Sequence, residues 1–151
     1  VSVRVSNEHP RGAGAARRLG ARARAFLRAL QRAEAELSVL LTTDRRIRGL
    51  NRRWRDIDRP TDVLSFPLSE PPGNGPLLGD VVISLDTAVR RARRDGRRVR
   101  EELDRYLAHG LLHLLGFDHR RPAEARRMAR REAELIRAEG LVGQALGHRA
   151  D

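Results

Sequence analysis

A chain of 151 residues, 40% of them hydrophobic, is long enough to bury one sizeable core, and a single domain over 1–151 is expected. The formal net charge is +11, all 31 basic residues are arginine, and there is no cysteine, which excludes disulfides and thiolate metal ligands. No apolar run approaches the roughly 20 residues of a membrane span and no signal-peptide core opens the chain, so a cytoplasmic, membrane-free protein is expected, with a charge that favours polyanions.

Val1, Val3 and Val5 alternate with polar residues and predict a half-buried strand, broken at His9-Pro10. His9 reads as a loop residue. Leu19, Ala23, Phe26, Leu27 and Leu30 recur at helical spacing and predict an amphipathic helix from about Ala15 to Ala35. The β-branched apolar run from Leu37 to Thr43 predicts a central strand. Thr43 or Asp44 can cap a short helix through Trp54, with Ile47 and Leu50 facing inward. A third strand covers Thr61 to Pro67, a Pro/Gly loop covers Ser69 to Pro76, and a fourth strand covers Gly79 to Ser84. Ser84 or Asp86 can cap a helix ending near Gly96.

The next helix is predicted from Val99 to about Leu115, with Val99, Leu103, Leu107, Gly110, Leu111 and Leu114 on its buried face. His109 and His113 are four apart, so both imidazoles leave one side of that helix a turn apart. Gly116 suits the left-handed position that ends a helix, and the chain can then return His119 towards the other two. Three neutral imidazoles make an open zinc site with a position left for water. Gly110 falls between the histidines and the core, where a small residue lets another element approach. Tyr106 reads as an aromatic at the core edge. Pro122 starts a last helix expected to stop at Gly140, leaving 141–151 as a frayed tail.

The ligand spacing is that of the metzincin pattern H-E-x-x-H-x-x-G-x-x-H, with Gly110 in place of the glutamate base. Glycine cannot move a proton, so peptidase chemistry loses its base. Zinc brings the pKa of the water it holds towards 7 and so tolerates that change.

Taken with Leu50-Asn51-x-x-Trp54-Arg55, Pro60-Thr61-Asp62-Val63-Leu64-Ser65-Phe66-Pro67 and Leu78-Gly79-Asp80-Val81-x-Ile83-Ser84, the stretch from His109 to His119 resembles the YbeY family of bacterial rRNA maturation factors. The resemblance covers nearly the whole chain. Phe117 stands where a tyrosine is often found. It implies an α+β fold: a small mixed four-stranded sheet packed with about five helices, the metal-ligand helix central. It also implies zinc at His109, His113 and His119, and an arginine, here Arg55, that acts on phosphate. The implied activity is single-strand-specific endoribonuclease cleavage in 16S rRNA 3′-end maturation and ribosome quality control, with precursor rRNA and the ribosome or its proteins as partners. A zinc metallopeptidase, or a non-catalytic rRNA-binding assembly factor with structural zinc, are the alternatives. Asp62, Asp80 and Asp118 read as turn caps or as groups that orient a histidine, Asp118 above all the latter. Thr61 and Ser65 are expected to make strand or turn hydrogen bonds. With few aromatics, electrostatic contacts are expected to dominate RNA binding.

Overall fold

The computed structural model describes the backbone of residues 3–150 and the side chains of residues 3–137. In chain order the elements are β1 (Val3–Asn7), α1 (Ala13–Ala29), β2 (Glu36–Thr42), α2 (Asp44–Arg55), β3 (Val63–Pro67), β4 (Leu77–Ser84), α3 (Leu85–Asp95), α4 (Val99–Leu114) and α5 (Pro122–Ala150). The fold is α+β, a four-stranded mixed sheet with five helices. The strand order is β1-β2-β4-β3; β1 and β4 run parallel to β2, and β3 is an antiparallel edge strand on β4. Val1 and the side chains of 138–150 lie outside the described residues; α5 runs on through Gly140, where a stop was expected, since a glycine inside a helix costs only about 1 kcal/mol.

The caps explain where the helices start. Thr43 accepts the Arg46 N–H at 3.2 Å and opens α2, and Ser84 accepts the Thr87 N–H at 3.2 Å and opens α3. Asp44 instead ties these two helices together. Its carboxylate accepts from Ser84 and Thr87, each at 2.7 Å, and from Arg90. Burial opposes its ionisation, but those hydrogen bonds outweigh burial and hold its carboxyl below the usual range. His9 lies in a bend as expected and is also anchored. Arg11 N–H donates to its Nδ1 at 3.0 Å, so the ring proton sits on Nε2 and reaches Asp86 at 2.8 Å.

Helix α1 stops well before the expected Ala35. Leu30 caps it, Gln31 takes a left-handed φ of 58°, and Arg32 N–H closes back on the Leu27 carbonyl at 2.7 Å. Strand β3 starts at Val63 rather than Thr61, because the Asp62 carboxylate takes the Val63 N–H at 2.8 Å and turns the chain there.

One face of the sheet carries most of the core. Val39, Leu41, Val81 and Ile83 pack there against Leu19, Phe26 and Leu27 of α1 and Leu107, Leu111 and Leu114 of α4. Among the described residues the other face is covered only by α2, through a small cluster of Ile47, Leu64 and Val82. Helix α4 is buried on most sides, its residues from Leu103 to Leu114 almost all enclosed, which makes it the central helix. It is clamped to α1 by a buried carboxylate: Arg18 meets Asp104 through two hydrogen bonds, 2.9 and 2.8 Å, and Arg22 adds one at 3.1 Å.

Candidate metal centre

Two elements and one turn build the site. Helix α4 carries His109 and His113 on the only strip it leaves half open. Their ring centroids are 4.7 Å apart. At the helix end, Gly116 adopts a φ of +96° and its N–H bonds to the His113 carbonyl at 3.0 Å, while Phe117 N–H bonds to the Leu112 carbonyl at 3.0 Å. That turn returns the chain, and His119 comes to 4.9 Å from the His113 ring and 5.5 Å from the His109 ring. One ring nitrogen from each of the three lies within 4.8 Å of the others, a group that could hold a metal ion.

The donor set fits zinc. Two imidazole nitrogens at tetrahedral angles on one zinc, each about 2.0–2.1 Å from it, stand roughly 3.3 Å apart. The Nε2 atoms of His109 and His113 are 3.2 Å apart. His119, the exposed member on the turn, is the one free to close the remaining gap. On its other nitrogen, His109 Nδ1 meets the Glu132 carboxylate of α5 at 2.5 Å. A proton on Nδ1 donated to Glu132 leaves Nε2 with a bare lone pair pointing at His113. Two ring nitrogens facing each other need a shared proton or a cation between them, and the third imidazole favours the cation. Burial, then the charges of His109, His119 and Arg55, pull the His113 pKa down to about 4, so this ring is neutral at neutral pH as a ligand must be.

Arg55 ends α2, exposed, and its charge contributes to the lowered pKa of His113. The other expected residues divide. Asp118 does not orient a ring: its carboxylate accepts the backbone N–H of His119 at 2.7 Å, which fixes the turn and holds the Asp118 pKa below the usual carboxylate range. Asp62 caps the start of β3 and pairs with Arg91 at 2.8 Å, and Thr61 donates to it at 3.2 Å. Asp80 lies on the far face of the sheet, away from the histidines. Tyr106 is buried at the core edge; burial and the adjacent Glu102 raise its hydroxyl pKa to about 12.

Gly110 meets β3 and β4. A Cβ there would stand 2.8 Å from Val81 Cγ1 and 3.1 Å from Val63 Cγ2. A glutamate at this position would point into the sheet, so the metzincin base has neither a side chain nor a place.

Glu132 was not anticipated from the sequence, although a signal was present. Met128 and Leu135 are buried seven apart on α5, and Glu132 falls on the same stripe, four after one and three before the other. A carboxylate in the middle of an apolar stripe needs a partner, and His109 is that partner.

A family model described as Endoribonuclease YbeY matches residues 7–140. A protein of Anaeromyxobacter sp. (strain Fw109-5) bearing that description is 75% identical over 146 residues, 97% of this chain and 76% of its own length. One of Myxococcus xanthus (strain DK1622), described likewise, is 51% identical over 149 residues, 97% of this chain and 50% of its own. The solution structure of TM1509 from Thermotoga maritima superposes with a TM-score of 0.67 at 24% identity, over 97% of this chain and 93% of that one. The last likeness is one of fold. Among the described residues no helix is long and apolar enough to cross a membrane. Both the motifs and a match over most of the sequence place the chain in the YbeY endoribonuclease family.

Proposed function

We propose that the chain is a zinc-dependent, single-strand-specific endoribonuclease of the cytoplasm. It acts on the 16S rRNA precursor in 3′-end maturation and on the ribosome in quality control. The observation that carries this reading is the convergence of His109, His113 and His119, in a chain whose relatives are described as endoribonucleases; the charge of Arg55 is felt at His113. His109, His113 and His119 hold the ion. Zinc, when bound there, supplies a Lewis acid and makes a nucleophile available near neutral pH. Glu132 keeps the Nδ1 proton of His109 and so directs its Nε2 inward. The Arg55 guanidinium grips the scissile phosphate through two hydrogen bonds and stabilises the charge that grows on it. The wider arginine surface binds backbone phosphate with little base preference.

The test uses purified, zinc-loaded protein with a precursor 16S 3′ fragment, unstructured RNA and casein. RNA is cut and casein is not. Chelator and His113→Ala abolish cutting, and Arg55→Ala slows it by about 10²–10³-fold, the usual loss for one group that stabilises transition-state charge. Cutting that survives His113→Ala and chelator sinks the reading and leaves an rRNA-binding assembly factor. Cutting of casein restores the peptidase.

A further inference from the structure

A large concavity lies away from the histidines. It is a groove of about 670 Å³ on the opposite face of the sheet, the face that α2 covers only in part. The sheet forms its floor, with Leu40 and Val82 in one row and Ser38 and Asp80 in the next, and Trp54, Phe66, Arg4 and Arg46 also line it. The volume is that of a small-molecule pocket.

Trp54 is the unusual residue. It is 61% exposed, although a large aromatic gains most from burial. It is also held in place: the Phe66 ring meets it edge-on at 6.2 Å and 67°, and the Arg53 guanidinium lies 5.2 Å from its ring centre. An indole fixed in position yet open to solvent is a surface waiting for a flat partner. Beside it, sharing Arg46 and Leu50 with the groove, is a second hollow lined by Arg45, Arg46 and Arg53 with no acidic side chain. Six of the twelve residues of α2 are arginine. The ligand that uses both halves is a polyanion carrying flat apolar units. The acids Glu8 and Asp80 place the phosphates over the arginine hollow and not in the groove, where a carboxylate can accept from an amino group of a base.

We propose that this groove is a nucleobase site. A base of single-stranded RNA stacks on Trp54, its flanking phosphates lie on Arg45, Arg46 and Arg53, and the strand then rounds the β3 edge past Arg55 to the histidines. The last step rests on the nuclease reading; the stacking does not. Trp54 and Arg55 are adjacent at the end of α2, so one helix terminus would carry both the stacking ring and the guanidinium on the strand's path.

The chain has one tryptophan, so its fluorescence reports on this site alone. Zinc-loaded full-length protein is titrated with a short 2′-O-methyl oligomer, and with an abasic oligomer of equal length that keeps the phosphates. The base-bearing oligomer quenches Trp54 saturably and binds more tightly than the abasic one. Trp54→Ala, read with labelled oligomer, weakens binding between about 5- and 150-fold, the range for loss of one stacked base, and erases the difference between the two oligomers. Trp54→Phe keeps part of that difference, and Ser38→Phe, which fills the groove floor, removes it with Trp54 intact. Fluorescence unchanged at saturation, or equal affinities for wild type and Trp54→Ala, overturns the proposal. So does a Trp54→Ala chain that loses binding to ribosomal subunits with its RNA affinity intact, since the groove would then face protein. Stacking without cleavage of natural RNA refutes the nuclease reading and leaves this one standing; cleavage without stacking does the reverse.

Discussion

Glu132 determines which nitrogen of His109 is available. By accepting the Nδ1 proton at 2.5 Å it leaves Nε2 bare and locks the ring plane. Glu132→Ala should lower zinc affinity about 10–100-fold, and Glu132→Gln, which keeps an acceptor, less, measured by competition with a chromogenic chelator. Affinity unchanged in both variants would show that His109 is positioned by its helix alone. His113 gives a pH dependence. Its folded pKa is about 4 against 6.5 for the free side chain, so the unfolded state takes up the proton first as pH falls. In metal-free protein its contribution is complete above about 6.5 and is lost progressively towards about 4. Denaturant midpoints measured across that window should fall on acidification, and His113→Ala should show a shallower fall. Equal slopes in both proteins would exclude His113 as the source. The grouping of the three histidines was legible because spacing on a helix and a glycine stop are local facts. Glu132 meets His109, and the charge of Arg55 is felt at His113, from other elements, and nothing local to the histidines signals either one.

Helix α4 depends on Gly110 for its distance from the sheet. Alanine would gain roughly 1 kcal/mol of helix propensity. Its Cβ would also stand 2.8 Å from Val81 Cγ1, on a stiff, fully buried side chain that cannot swing away. Overpacking of that kind costs about 1–3 kcal/mol, so the clash wins. Gly110→Ala should lower the thermal midpoint by several degrees, and weaken zinc binding as α4 is pushed off β3; a gain in stability would mean the sheet yields easily. The strands and helices themselves followed from periodicity wherever one face was buried and one wet. Periodicity failed at the end of α1, since Gln31 makes a left-handed stop there without the glycine that normally announces it. It also failed at β3, where a side chain, Asp62, takes the first ladder N–H. On α2 the inward Ile47 and Leu50 were legible, but Trp54, expected only to end the helix, proved to be exposed on the sheet's second face.

Across the whole molecule the sheet separates two tasks. The face packed with α1 and α4 supplies rigidity and the histidines; the thinly covered face offers a groove and arginines; the β3 edge joins them. No such division is visible in composition, because the arginines are spread along the entire chain and only folding gathers some of them on α2. The Gly116 turn has a further bearing. Of the three histidines, two stand on a stiff rod and the third on a short exposed span that also holds Arg120 and Arg121. An ion seated in all three acts as a clasp on that span. Stripping it should open the clasp first and leave the rest of the protein standing. Trypsin should then cut after Arg120 much faster in chelated than in zinc-replete protein (Pro122 shields the bond after Arg121), and identical digestion rates would mean the span is fastened by something other than the ion.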